Sequence, residues 1–426
     1  MDEINIPASQ YPRIVVIGGG FGGINFIKSM ADAPYQIVLL DQNNFHQFLP
    51  LLYQVATCGL EPDGIIFPLR KLFERQDNVC FRMTSVKEID AAGKIVITAS
   101  GTIAYDKLVI ATGSITNFFG NVELEQRCIG MKDIREALNI RSLVLENLEA
   151  AAVSSDPDER EALTNFVVVG GGPAGVETVG ALAEFKRYIL NKDYPDIDDD
   201  VMKVYLVQSG GQLLKGMSED AGLSALQDLK KMGVEIILHN RVKSYDGTTV
   251  FTDKGLELKS RAVVWTAGVQ GSLPAGISTT ALAAGSRINV DRFNKVVGMP
   301  GIYAIGDIAR MATDEAPEGH PMVATAAIQQ GAHLAKNLRK QLANEPMIPF
   351  QYFDKGSLAT IGKRRAVADI GKHHLHGFVA WLIWCFVHIF YLIGFRNKFL
   401  VFTNWLMSYM TYEKGNRFIV RRFREM

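Results

Sequence analysis

Three glycines and an acid stand at the spacing that dinucleotide binding requires. In "RIVVIGGGFGGINFI" (13–27), Gly18, Gly20 and Gly23 match G-x-G-x-x-G, and Asp41 closes the next apolar run, "QIVLLD" (36–41). Such a turn brings backbone N–H groups up to a pyrophosphate, and an acid about 20 residues on accepts hydrogen bonds from a ribose diol. The pattern returns in "NFVVVGGGPAGVETVGALAEF" (165–185) with Gly170, Gly172 and Gly175. Its second strand, in "KVYLVQSGG" (203–211), ends in neutral Gln208. Glu177 follows the second turn. An acid there either complements a helix dipole or works as a proton donor and acceptor.

These residues need strand–turn–helix units to hold them. A lone G-x-G-x-x-G is a weak signal, but here a strand precedes each turn and a helical pattern follows it. Each fold is closed by a further strand with a small-residue turn: "YDKLVIATGS" (105–114), carrying Thr112 and Gly113, and "AVVWTAGVQ" (262–270), carrying Gly268. "GIYAIGDIA" (301–309) reads as a short strand ending at Asp307. The predicted fold class is α/β, with two doubly wound Rossmann-like domains plus a C-terminal membrane-associated helical segment. The first domain is expected to be discontinuous, 1–120 and 290–355, with the second at 121–289 and the membrane-anchoring region at 356–426.

Composition narrows the function. The chain has 426 residues, more than one compact domain holds. Lys+Arg and Asp+Glu both number 45, so no net charge gathers nucleic acid. Cys58, Cys80, Cys128 and Cys385 are scattered without a C-x-x-C, which suggests neither a zinc site nor a dithiol motif. Their scatter fits a reducing compartment. The acidic start "MDEINIPASQ" lacks the basic and apolar regions of a secretory signal. The acidic run "NKDYPDIDDD" (191–200) reads as a solvated loop with no metal role.

The A-T-G turn and "YAIGD" resemble those of the two-dinucleotide-binding-domain flavoprotein reductases. Three further stretches, "NNFHQFLPLLYQVATCGLEP" (43–62), "FDKGSLATIGKRRAVADI" (353–370) and the greasy tail at 377–412, closely resemble type II NADH dehydrogenases. These are single-chain, non-proton-pumping NADH:quinone oxidoreductases. The resemblance implies FAD in the first fold, with Asp307 at its ribityl–phosphate region, and NADH in the second. A hydride would pass from nicotinamide to flavin, and two electrons onward to a membrane quinone. A disulfide reductase would need a C-x4-C pair, and Cys58 has no partner at that spacing. Two alternatives stay open. A sulfide:quinone oxidoreductase would use cysteines around the flavin; Cys128 is a candidate, whereas the next cysteine, Cys385, lies in the greasy tail. A non-catalytic flavoprotein would only sense NADH.

The same resemblance carries site residues. Glu177 would point toward nicotinamide and flavin and deliver protons to reduced quinone. The family's A-Q-x-A-x-Q falls in "MVATAAIQQGAHLAKNL" (322–338), where Thr325 replaces the first glutamine and Gln329 is the second. Four apart, they share one helix face, and the shorter Thr325 implies a reshaped quinone pocket. Gln330 reads as a solvated helix residue. His46 and Tyr53 lie in the loop expected to run under the flavin, and Lys355 near the quinone entrance; a lone His and a loop Lys are also ordinary structural residues.

Residues 377–395 are nearly unbroken apolar, just long enough to span a bilayer. An interfacial helix is the preferred reading, because basic residues flank both sides: Lys363, Arg364, Arg365 and Lys372 before, and Arg396, Lys398, Lys414, Arg417, Arg421, Arg422 and Arg424 after. A polar stripe at Asn404, Ser408 and Thr411 or Tyr412, with Trp405 at its edge, makes the second stretch amphipathic. The expected setting is the cytoplasmic face of the bacterial inner membrane, peripheral or monotopic, with the lipid surface and a second copy of the chain as partners. Gln208 lacks the charge that repels a 2′-phosphate, so NADPH is expected as a second donor.

Overall fold

Apolar runs ending in glycine turns become buried parallel strands, and the helical patterns after them become the helices that cover them. The computed structural model describes residues 2–197, 200–411, 415–419 and 423. Lys414, Arg421, Arg422 and Arg424 of the basic tail, Tyr412 of the polar stripe, and Asp198 and Asp199 of the acidic run lie outside the described residues. Along the chain run β1 (Arg13–Ile17), α1 (Phe21–Ser29), β2 (Gln36–Asp41), β3 (Val79–Met83), β4 (Lys107–Ile110) and α2 (Ile134–Val153). Then come β5 (Phe166–Val169), α3 (Pro173–Phe185), β6 (Val204–Val207), β7 (Val234–Ile237) and β8 (Ala262–Trp265). There follow β9 (Ile302–Ala304), α4 (Ala324–Leu342), β10 (Ser357–Gly362), β11 (Arg365–Ile370), β12 (His373–His376), α5 (Gly377–Tyr391) and α6 (Phe395–Thr411).

The chain forms two compact units. The first comprises Met1–His46, Phe67–Ile115 and Val269–Asp354; the second comprises Gln47–Ile66, Thr116–Gly268 and Lys355–Met426. The first unit is built on a parallel sheet in the order β9-β4-β1-β2-β3. Val15, Val38, Leu40, Leu108 and Ile110 enter one buried core. Parallel strands covered on both faces read as continuous apolar runs, which is why they stood out in the sequence. Helices α1 and α4 meet backbone to backbone: a Cβ on Gly331 would lie 2.4 Å from the Gly22 carbonyl oxygen.

The second unit has the parallel order β7-β6-β5-β8. Helix α3 lies flush on β10, since a Cβ on Gly180 would come within 1.9 Å of Ile361 O. Strands β10, β11 and β12 form an antiparallel meander that leads directly into α5.

The apolar run at 377–395 is not one helix. Helix α5 ends at Tyr391, and the chain turns through Gly394, whose φ is 88°. Its 15 residues reach about 22 Å, short of the ~30 Å hydrocarbon core. Among the described residues, no helix is long and apolar enough to cross a membrane. Instead α5 exposes Phe378, Leu382, Phe386 and Phe390, and α6 exposes Phe395, Phe399, Phe402, Leu406 and Met410, each at helical spacing. The expected polar stripe needs correction. Asn404 and Thr411 are exposed, but half-buried Ser408 lines an internal cavity. The inward face of α6 carries Asn397, which donates to Ile66 O at 2.7 Å, and Val401. Its outward face is the apolar one.

Candidate functional site

The first glycine turn is shaped for a close-lying ligand. Gly18 has φ 107°, and a Cβ there would sit 2.3 Å from Ala111 O. A Cβ on Gly20 would meet nothing within 4 Å, so this side of the turn is open. Asp41 at the end of β2 clamps the turn: Gly19 N donates to its Oδ2 at 2.6 Å, and Asn43 N to its Oδ1 at 2.7 Å. Burial pushes the Asp41 carboxyl up, and these two bonds pull it back. The Thr112 hydroxyl is buried without a partner, and Gly113 next to it has φ 70°. Asp307 follows β9 in the turn Gly306–Ile308, and its Oδ2 accepts from Ser114 Oγ at 2.6 Å. The strand therefore stops before Asp307. The open turn at a helix N-terminus, an acid at the end of β2 and an unpartnered hydroxyl fit a dinucleotide.

His46 packs beneath this turn. Its Nδ1 is 3.1 Å from Gly19 O, its Nε2 is buried without a partner, and Phe21 stands edge-on at 5.0 Å. Burial lowers its pKa to about 4, so the ring is neutral. On α4, Thr325 Oγ1 lies 3.0 Å from Tyr352 OH. Gln329 bonds Phe353 both ways, its Nε2 donating at 2.9 Å and its Oε1 accepting at 3.0 Å. The two thus share a face and tie α4 to one segment. Gln330 corrects the solvated reading: it is buried, and its Oε1 accepts from Gly306 N at 2.7 Å. The helical repeat of Ala326, Ala327, Gln330, Gly331 and Leu334 is the signal that could have placed it inside.

The second glycine turn repeats the first. Gly170 has φ 113°, a Cβ on it would lie 2.6 Å from the Ala267 Cα, and Gly172 is open. A Cβ on Gly175 would sit 1.9 Å from Gly170 O, so helix and turn touch. Gln208 at the end of β6 makes the same clamp with an amide: its Oε1 accepts from Gly171 N at 2.9 Å. Gly268 beside Ala267 lies under the Phe119 ring.

Glu177 is not an exposed dipole-complementing acid. It sits in the second turn of α3, only 8% exposed, and accepts a long bond from Thr360 N at 3.3 Å. The Trp384 indole N–H favours the ionised form without closing to hydrogen-bond geometry. Desolvation dominates and pushes the Glu177 pKa up to about 8, so the carboxyl carries its proton at neutral pH.

Glu177 borders a cavity of about 110 Å³ within the second unit. Tyr53, Gln54, Trp384, Trp405 and Lys363 share the lining. Gln54 links two of them: its Nε2 donates to Tyr53 OH at 2.8 Å, and its Oε1 accepts from Trp405 Nε1 at 2.7 Å. Burial raises the Tyr53 phenol well above its ordinary pKa. Lys363 Nζ donates to the Ser408 and Tyr409 carbonyls at 3.0 and 2.5 Å, which caps the C-terminal end of α6. Sequence reading missed Gln54, Trp384 and Lys363 as lining residues. Lys355 is exposed and donates to Tyr391 OH at 2.9 Å. Burial pushes the Cys128 and Cys385 thiols up to about 12, which keeps both protonated and poorly nucleophilic.

The chain matches two family models: pyridine nucleotide-disulphide oxidoreductase over residues 12–331, and the NDH2 C-terminal domain over 355–412. It is 37% identical to a type II NADH:quinone oxidoreductase, Ndh, of Mycobacterium tuberculosis, over 96% of this chain and 91% of that protein. It is 28% identical to an internal alternative NAD(P)H-ubiquinone oxidoreductase of Arabidopsis thaliana mitochondria, over 94% of this chain and 84% of that protein. Its fold superposes on NDH2 from Plasmodium falciparum in complex with NADH with a TM-score of 0.86 at 20% identity, covering 97% of this chain and 100% of that one.

Proposed function

We infer the function from the premise that this chain belongs to the pyridine nucleotide-disulphide oxidoreductase family and, within it, to the type II NADH:quinone oxidoreductases. It is a flavoprotein enzyme that oxidises NADH and reduces quinone, associated peripherally with the membrane. Bound in the first fold, FAD would supply a two-electron relay between the hydride of NADH and quinone.

The residues divide that work. Gly18, Gly20, Gly23, Asp41, Thr112, Gly113 and Asp307 hold FAD in the first unit, and His46 supports their turn. Gly170, Gly172, Gly175, Gln208 and Gly268 hold the nicotinamide nucleotide in the second. Neutral Gln208 admits NADPH beside NADH, since the clamp survives without a charge to repel the 2′-phosphate. Thr325 and Gln329 shape the quinone side, with Lys355 at the entrance. Quinone reduction to quinol takes up two electrons and two protons. Glu177 is built to supply a proton, because its carboxyl is protonated at neutral pH beside a cavity walled by α5 and α6.

Glu177, only 8% exposed at the edge of that cavity and with its carboxyl pKa pushed up by burial, is the observation that carries this reading. The exposed apolar faces of α5 and α6, with Arg396 and Lys398 at the junction between the two helices, lie against anionic lipid at the cytoplasmic face of a bacterial inner membrane. Each large side chain moved from water into hydrocarbon contributes roughly 1.5–3 kcal/mol. The working form is a homodimer, which the mass of the detergent-solubilised protein checks. Stopped-flow kinetics of Glu177→Gln tests the site. Quinone reoxidation of the reduced flavin should slow while flavin reduction by NADH is kept. Equal slowing of both would make Glu177 a positioning group.

A further inference from the structure

The chain accepts an unfavourable backbone conformation at the mouth of the second glycine turn. Phe119 has φ 55° and Gly120 after it has φ 77°. For a bulky residue the left-handed region is unusual. Burial of the ring does not explain it, because Phe119 is 66% exposed. The loop is nonetheless fixed. Asn117 N donates to Gly268 O at 3.0 Å, Asn117 O accepts from Trp265 Nε1 at 2.9 Å, and Asn117 Oδ1 accepts from Phe119 N at 2.7 Å. Held this way, the ring lies on the bare backbone of Gly268, where a Cβ would be 2.7 Å from Phe119 Cζ. Gly268 follows Ala267, against which Gly170 of the glycine turn packs. Ring, Gly268, Ala267 and Gly170 form one continuous rim.

The sheet order gives the rim a direction. Strands β6 and β8 flank β5 on opposite sides. A dinucleotide lies across the carboxyl ends of such strands, with its pyrophosphate at the turn after β5 and its adenosine ribose at the end of β6. Gln208 marks that adenosine end. The nicotinamide half therefore runs toward β8, where Phe119 stands. We propose that Phe119 is the aromatic cover of the nicotinamide half of bound NADH. Its ring stacks on the nicotinamide nucleotide, and Gly268 is bare so that ring and ligand both fit. This rests on the reading that the second fold takes NADH.

The test uses the full-length holoenzyme and ADP-ribose, which lacks the nicotinamide. In Phe119→Ala, the NADH concentration that half-saturates flavin bleaching should rise about tenfold. Phe119→Tyr should stay within about twofold of the parent. Phe119→Leu keeps the bulk without the π face and should lose as much as the alanine variant, which covers the case where alanine fails to fold. Inhibition by ADP-ribose should be unchanged throughout. Unaltered NADH dependence in the alanine or leucine variant overturns the proposal, and so does equal weakening of NADH and ADP-ribose. A wild-type flavin that NADH does not bleach at all refutes the reading on which the proposal rests, rather than the role of Phe119.

Discussion

The two glycine turns share a backbone and differ in one functional group. In both, a side chain at the end of the second strand accepts from the N–H that follows the first glycine. Asp41 does so at 2.6 Å with a carboxylate, Gln208 at 2.9 Å with an amide. The clamp itself therefore does not need charge; one good acceptor oxygen suffices. What the charge decides is the ligand: a carboxylate binds a ribose diol and rejects a phosphate there, whereas an amide does only the first. The turns differ again one helix turn later. In α1 the polar side chain is Asn25, bonded to its own helix at Phe21 O. In α3 it is Glu177, buried and proton-bearing. On the proposed reading, the first fold holds a ligand, and the second holds one and supports proton chemistry.

The most drastic way to break this comparison is to fill each turn. Gly23→Val should yield protein without flavin colour. Gly175→Val should stay yellow but lose bleaching by NADH by more than about a thousandfold, since its side chain would collide with the Gly170 carbonyl. Loss of flavin from the Gly175 variant, read by its visible absorbance, would show that the folds are not separable. Deleting the tail from about residue 373 should come next. Activity with long-chain quinone in membranes should fall by at least about tenfold, with vesicle binding lost and bleaching by NADH retained. Full quinone activity of the truncated protein would remove the anchor role.

Glu177→Gln should slow the quinone half-reaction by roughly ten- to a hundredfold. It also has a signature in stability. The folded pKa of Glu177, about 8, lies above its unfolded value of 4.5. The unfolded chain therefore loses this proton first. Wild-type stability from this group is complete below pH 4.5 and declines toward pH 8. The melting temperature of Glu177→Gln relative to wild type should rise across that window. A constant difference would mean that folding does not raise the Glu177 pKa. Gln208→Glu should cut kcat/KM for NADPH about tenfold or more while leaving NADH within about threefold. If wild type already discriminates against NADPH by about a thousandfold, the amide is not what sets donor choice. The smallest effect belongs to Thr325→Gln. A change of about two- to fivefold in the quinone KM is expected, with the NADH KM steady, since one hydrogen-bonding group is lengthened.

Much of the architecture was legible because it is written in local backbone physics. Gly18 and Gly170 stand where φ is positive, and β1, β2, β5 and β6 are buried on both faces, so short windows carried the signal. The end of β6 was legible too: Gln208 stands just past it and accepts from the turn at Gly171 N. The cavity was not. Gln54 meets Trp405, 351 positions away, and no periodicity encodes that pairing. The tail misled in part because hydropathy does not report direction. The same apolar residues serve a buried face or an outward one, and only packing against Gln47–Ile66 decides that Asn397 turns inward while Phe395 is 86% exposed.

Anaerobic stopped-flow spectroscopy of the flavin tests the central claim most directly. Mixing the oxidised enzyme with NADH should bleach the flavin, and a second mixing with a short-chain quinone should restore it fully, while sulfide in place of NADH leaves it oxidised. A flavin that NADH does not reduce, or that NADH reduces and quinone cannot reoxidise, would contradict the account. So would rapid bleaching by sulfide.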